Sequence, residues 1–578
     1  MFRYFKLTSY FLLVFLISTQ PVYAEKFGTV LIGGGLDVCT SAHSQHCKTK
    51  LAVNENSHST HRYLLNTKNI NTLASLYYAD PSIQTKQMHE FLTNIGKLNE
   101  LSKSYTEKGL SHFFRKSNLP DATKLDAFHW QMILDVFQER VIATRFLQRD
   151  RYKNVNVDVF NSKQLFVAKA LREFVDNVSG DNILIVTAAN RDAFEDVYWL
   201  IKTFEQFDLD VKWMPLDLAV AEIWRTTDIS SSDKVEAACK SINETRHKIA
   251  KRYFRDRIYG DLNEELIESC SEPDKIIDLV EEADGIYFHD GDPIVLRDSL
   301  MINDIEPNHV WKRVLSRHQN KQITLAFNGG AIRALGGNEG RNGFVIQGSS
   351  KDSLNDGFGI YSNLEASKKH VKGNEPLMSM AGLGLFDGIS FDSEFNNISR
   401  QGRLFGLLAM MKLPYGIGID ERTVLAIKQN ANGLELKVSG EGGVTVVNNT
   451  ESTRASLAPA KLTDIVMSFM TQDDTALFKD SKFSFDFANW KYSSSQYSQP
   501  VVRAGKVFRP EAFSKTMYML CTTGARKALL KHIELGKGHV LNVGKLSNSV
   551  SVSGSKNVNG ENYSYCSYRG YTISIKPN

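Results

Sequence analysis

Four short apolar runs constrain this chain more than any other feature. They are Thr29–Ile32 ("TVLI"), "NILIV" opening Asn182–Asn190, "GIYF" within 283–292, and "ITLAF" within 322–330. Each runs into Gly, Asn or Asp, and helical stretches such as "DAFEDVYWLIKTFEQF" lie between them. Continuous apolar strands alternating with helices predict an α/β fold: a doubly wound, largely parallel sheet flanked by helices. Ligands of such sheets bind at the carboxyl ends of the strands. The loops after Ile32, Val186, Phe288 and Phe327 are therefore expected to meet on one crevice. "YGIGIDERTVLAIK" (415–428) reads as a further strand of the sheet, and "GLELKVSGEGGVTVVNN" (433–449) as a hairpin or meander.

Other segments have different rhythms. Residues 58–178 read as helices, and Trp130, Ile133, Leu134, Phe137 and Val141 fall at helical spacing. Such a stripe is expected to face a core. Beyond about residue 455 the pattern becomes aromatic and alternating, as in "YSYCSYRGYTISIK", and reads as mostly β. Gly33, Gly34 and Gly35 let the backbone turn sharply after the first strand, but the G-x-G-x-x-G spacing of a dinucleotide cradle fails.

The N-terminus carries the grammar of an export signal. A short basic start holds Arg3 and Lys6, Phe11–Ser18 is apolar, and Val22 and Ala24 are small residues placed for cleavage after Ala24. The run is shorter than the roughly 20 residues that cross a bilayer, so no stable membrane anchor is expected, and the location is secreted or periplasmic. Export permits disulfides. Six cysteines make an even set, and neighbour pairing is the expectation: Cys39 with Cys47, Cys239 with Cys270, Cys521 with Cys566. None shows the clustered spacing of a structural metal site. The formal net charge of +4 over 578 residues, two of it from Arg3 and Lys6, gives no support for nucleic-acid binding.

Six pieces now stand in a telling order: "GTVLIGGG", "ILIVTAAN", "ADGIYFHDGD", "LAFNGGA", "GLGLFDGISFDSEFNNISRQGRL" and "GIGIDERTVLAI". Together they resemble the cyanophycinase and dipeptidase E family of serine peptidases, over residues 28–36 and 180–450. The resemblance implies an α/β hydrolase that cleaves aspartyl or β-aspartyl bonds with Ser, His and an acidic residue. It divides the chain into a signal peptide (1–24), the first strand and Gly-rich loop (25–57), a helical insertion (58–178), a cyanophycinase-like α/β domain (179–454) and a C-terminal, mostly β accessory region (455–578).

Against that pattern the catalytic positions are changed. The family elbow G-T-S-A-G-A is here Ala326-Phe327-Asn328-Gly329-Gly330-Ala331. Asn328 stands at the nucleophile position, where an amide offers no hydroxyl or thiol to activate, and Asn tolerates the left-handed backbone such an apex needs. Glu394 replaces the His of D-Q-H-F, after Asp392 and Ser393. Ile398 replaces the first Arg of R-x-R, with Arg400 and Arg403 retained. The oxyanion loop G-G-D-Q is Asp290-Gly291-Asp292-Pro293, which sets a carboxylate where an oxyanion would develop. Glu339, Glu365 and Glu375 are candidates for the third member. Ser349, Ser350 and Ser353 lie nearby, but "QGSSKDS" lacks the strand-to-helix context.

The expectation is thus a secreted, peptidase-like protein that binds a peptide or small molecule without family-type hydrolysis. Its crevice would be lined by Gly33, Gly34, Gly35, His289, Asp290, Gly291, Asp292, Asn328, Gly329, Asp392, Glu394 and Arg400. Two alternatives stay open. One is an active hydrolase of aspartyl bonds with another nucleophile. The other is a metal-assisted hydrolase built on His289, Asp290, Asp292, Asp392 and Glu394. No cofactor or metal is expected, and the oligomeric state is not legible.

Overall fold

The computed structural model describes residues 26, 28–51, 61–98, 102–121, 123–139, 151–228, 230–303, 305–337, 344–361, 377–380, 382–493, 501–534, 537–558 and 560–578. The signal segment, Val141, Glu339, Glu365 and Glu375 lie outside the described residues.

A nine-stranded sheet holds all four of the apolar runs. Its strands are β1 (Thr29–Ile32), β2 (Asn182–Val186), β3 (Asp210–Trp213), β4 (Gly285–Phe288) and β5 (Thr324–Asn328), with four more described below. The order β1-β5-β4-β2-β3 is parallel throughout, with Val30 opposite Ala326, Ile286 opposite Leu325 and Ile185 opposite Tyr287. β1, β2, β4 and β5 are buried on both faces, which is why they read as unbroken apolar runs, whereas Asp210 and Lys212 of β3 are exposed at the sheet edge. Phe288 and Phe327 stack at 4.4 Å between ring centroids and lock the two central strands in register.

The other half of the sheet is antiparallel. After Ile389–Asp392 (β6) and Tyr415–Ile419 (β7), β8 (Thr423–Asn430) pairs with β1, and β9 (Gly433–Gly440) pairs with β8. After β10 (Gly443–Asn448) and β11 (Ala460–Thr471), strands β12 (Thr475–Lys479) and β13 (Lys482–Asp486) complete this edge.

Two strand readings are corrected here. Residues 415–428 are not one strand. β7 pairs in parallel with β6 in a second sheet, and the chain crosses at Asp420–Arg422 before β8 joins the first. Residues 433–449 are not one hairpin either, because β9 stays in the first sheet while β10 pairs with β7 in the second. Buried Asp420 holds both crossings together. It accepts from Asn396 N (3.0 Å), Asn396 Nδ2 (3.1 Å) and Gly443 N (3.1 Å). A crossing between sheets leaves backbone donors without ladder partners, and this carboxyl group supplies them.

The second sheet runs β6-β7-β10-β11 and continues into β16 (Glu561–Pro577), β15 (Lys537–Val558) and β14 (Lys527–Glu534). The C-terminal region is thus mostly β, with one helix among the described residues, at Ala512–Thr522. Toward the N-terminus, the four α-helices among the described residues between Thr67 and Phe137 enclose their own core of Leu73, Phe91, Phe114, Ile133 and Phe137. The helix Ala127–Phe137 starts on Asp126, whose side chain accepts from His129 N at 2.9 Å.

All six cysteines are paired in the expected connectivity: Cys39–Cys47, Cys239–Cys270 and Cys521–Cys566. These bridges suit an oxidising compartment. No described helix is long and apolar enough to cross a membrane.

Candidate functional site

The loops at the carboxyl ends of the parallel strands converge. Gly330 N donates to Asp290 Oδ1 at 2.6 Å, joining the β5 turn to the β4 loop. Asp292 N donates to Ala189 O at 2.7 Å, joining β4 to the β2 loop. Glu394 N donates to Gly33 O at 3.1 Å, bringing the turn after β6 onto the glycine loop. The glycines are dictated by this crowding. A Cβ at Gly34 (φ 104°) would lie 3.2 Å from Glu394 Cγ and 3.7 Å from Gly329 Cα.

The apex of the elbow is one residue later than the sequence suggested. Asn328 is extended, at φ −110° and ψ 141°, and closes β5. Gly329 takes the left-handed conformation, with φ 52°. A glycine adopts it without the Cβ penalty that an Asn would bear, so Asn328 is free to finish the strand. Asn328 is 2% exposed, and its Oδ1 has no hydrogen-bond partner among the described residues.

The space above Gly329 is already occupied. A Cβ on Gly329 would fall 2.2 Å from Asp290 Cγ. Asp290 Oδ1 accepts from Gly291 N at 2.7 Å and from Gly330 N at 2.6 Å. A backbone N–H just past the apex of a nucleophile elbow, paired with a second N–H from a neighbouring loop, is how α/β-hydrolases stabilise an oxyanion. Here the chain's own carboxylate sits on both donors.

The remaining candidates sort by what they touch. Asp392 is wholly buried in a two-pronged pair with Arg403, whose Nη2 and Nε lie 2.6 and 2.8 Å from its oxygens. Burial alone would raise its pKa, but the Arg403 charge and hydrogen bonds, with Arg400 behind them, hold it below the usual carboxylate value. Arg400 bridges Glu394 (2.9 Å) and the Ser393 carbonyl (2.6 Å), and reaches Asp392 at 3.7 Å. Burial, then repulsion from Arg403 and Arg333, pulls Arg400 down to about 9. Glu394 itself sits at φ 48°, committed to Arg400.

Asp292 caps the helix Pro293–Leu300, accepting from Ile294 N (2.8 Å) and Val295 N (3.2 Å). Pro293 takes the first helical position, where a missing N–H costs nothing. His289 is buried on the far side of β4, 3.4 Å from Asp196 and edge-on to Trp199, so it does not join Asp290 and Asp392. Among the described residues, no group of three or more His, Cys, Asp or Glu side chains is placed to hold a metal ion.

The serines need a correction. "QGSSKDS" does have strand-to-helix context: Phe344–Gln347 is a strand, Gly348 has φ 98°, and Ser350–Asp356 is a helix. The Ser353 hydroxyl is buried with no hydrogen-bond partner among the described residues, while those of Ser349 and Ser350 are engaged. Ser349 caps the helix and bonds Asp352 (2.6 Å), while Ser350 donates to Ser399 O and accepts from Gly402 N at 3.0 Å. Ser350 thereby ties this helix to the one carrying Arg403.

Sequence reasoning missed Arg333. It lies in the short helical turn after the apex, and burial lowers its pKa beside Arg403. Its position three residues past Gly330 was the available signal. No family model matches the chain.

Proposed function

We propose that the chain is an exported, cyanophycinase-like protein whose crevice holds a peptide or small-molecule ligand without family-type hydrolysis. The scaffold in this reading is the family's doubly wound hydrolase sheet, and the signal segment is removed after Ala24 on export. One observation carries the reading: Asp290 Oδ1 sits on the N–H groups of Gly291 and Gly330, directly over the Gly329 apex. Acyl transfer needs those donors free for a developing oxyanion, and a fixed negative group there opposes the charge they should stabilise. It also needs a nucleophile beside a base. Asn328 and Gly329 offer none, and the Glu394 carboxylate is held by Arg400. The Nε atoms of Arg333 and Arg400 are buried without hydrogen-bond partners among the described residues, and a ligand carboxylate is a group that a guanidinium matches.

Turnover of α- and β-aspartyl dipeptides tests the reading. Wild type is expected to stay at background, and Asn328→Ser alone is expected to stay there too, because members of a catalytic unit fail together. Wild-type hydrolysis abolished by Asn328→Ala would overturn it.

A further inference from the structure

A cavity opens beside Gly291 and Asp292. It measures about 490 Å³, within the range of small-molecule sites. Its walls come from the start of the helix Ala127–Phe137, the loop after β2, the start of the helix Leu218–Thr226, and residues 246–255. Phe128, Phe194, Ile249 and Val295 make much of the lining apolar. Four arginines also line or flank it: Arg191, Arg246, Arg252 and Arg255.

The acids around these arginines are engaged. Asp135 pairs with Arg191 at 2.6 Å, and Asp192 pairs with Arg255. Asp217 pairs with Arg246 at 2.9 Å while capping its own helix. Asp126 binds His129 at 2.7 Å, and Asp292 caps the helix Pro293–Leu300. Arg252 forms no ion pair among the described residues. Its Nε and Nη1 donate only to the carbonyls of Arg191 and Ala250. Arg246 is 3% exposed, and its Nη2 has no hydrogen-bond partner among the described residues. Arg252 is partly buried and lacks an anionic partner, and carboxylate and phosphate are the groups its fork fits. Burial, then the adjacent Arg191 charge, pushes Arg252 well below the ordinary arginine value, as expected of a cation short of a counter-ion.

We infer that this cavity binds a small molecule with an apolar body and one oxyanionic group, carboxylate or phosphate, received by Arg252 beside Arg246. The site goes beyond the crevice reading and does not rely on it. It also gives the N-terminal helices a task, since they supply one wall of the cavity.

Calorimetry on the full chain with phenylacetate, phenyl phosphate, inorganic phosphate and phenylethanol tests this. Both aryl anions are expected to bind, and their ranking separates carboxylate from phosphate as the preferred head. Phenylethanol is expected to bind at least tenfold more weakly than the better anion. Arg252→Gln should weaken the anions at least tenfold, and Arg252→Lys less, because it keeps the charge but not the fork. Ile249→Trp, which fills the cavity and spares the arginines, should block the aryl anions and serves if Arg252→Gln does not fold. Equal binding of phenylethanol, unchanged binding in folded Arg252→Gln or in Ile249→Trp, or no aryl-anion binding to wild type would overturn the inference. Inorganic phosphate binding as tightly as phenyl phosphate would overturn the apolar half of it.

Discussion

Adding a single methyl group at Gly329 probes the plugged elbow most sharply. Gly329→Ala would place a Cβ 2.2 Å from Asp290 Cγ, a separation no side chain tolerates. Asp290 must then leave Gly291 N and Gly330 N. Two costs add in the single variant. The left-handed backbone costs an alanine about 1–2 kcal/mol. Each lost hydrogen bond to the carboxylate costs about 1.5 kcal/mol, at the low end because water reaches a half-buried loop. The sum is about 4–5 kcal/mol. Asp290→Gly alone loses the two bonds, about 3 kcal/mol. In the double variant the methyl group meets empty space and adds only its backbone cost. The single effects should therefore exceed the double by about 3 kcal/mol. Urea midpoints at unchanged slope give these differences. Additivity within about 0.5 kcal/mol would refute the claim that Asp290 occupies the space over Gly329.

Asp392→Asn should destabilise the fold by about 3–5 kcal/mol, because Arg403 loses the partner that balances its burial; equilibrium unfolding reads the loss. The native pKa of Asp392 is depressed, so its contribution is complete above about pH 4 and drains as pH falls through the native value, and the variant should lack that acid-limb slope. Intact mass without reductant should show no alkylatable thiol. Removing the Cys239–Cys270 bridge, with its separation of 31 residues, should cost about 3–4 kcal/mol in the loop-entropy account.

The sequence disclosed the site's frame better than its details. Val30, Leu184, Ile286 and Leu325 are legible because parallel strands covered on both faces leave no polar alternation to blur them. Neighbour pairing of the cysteines is one of fifteen connectivities the sequence allows, and it is the one formed. The crossing at Asp420–Arg422 was not. β7 and β8 are both apolar, and only three-dimensional pairing reveals that they serve different sheets. The apex was placed on Asn328 because both it and Gly329 accept a left-handed backbone, and composition alone does not choose between them. His289 was misassigned for a similar reason: neighbours in sequence at a strand end point to opposite sides, and it turns toward Asp196 while Asp290 turns toward Gly330.

The central claim is that Asp290 closes the oxyanion site and leaves no acylating group over it. The most direct measurement is intact-mass analysis of wild-type protein after incubation with an aryl fluorophosphonate, which labels activated serines regardless of substrate preference. The account predicts no covalent adduct on wild type or on Asn328→Ser. A stoichiometric adduct on wild type, mapped by peptide sequencing to any residue facing Asp290, would contradict it.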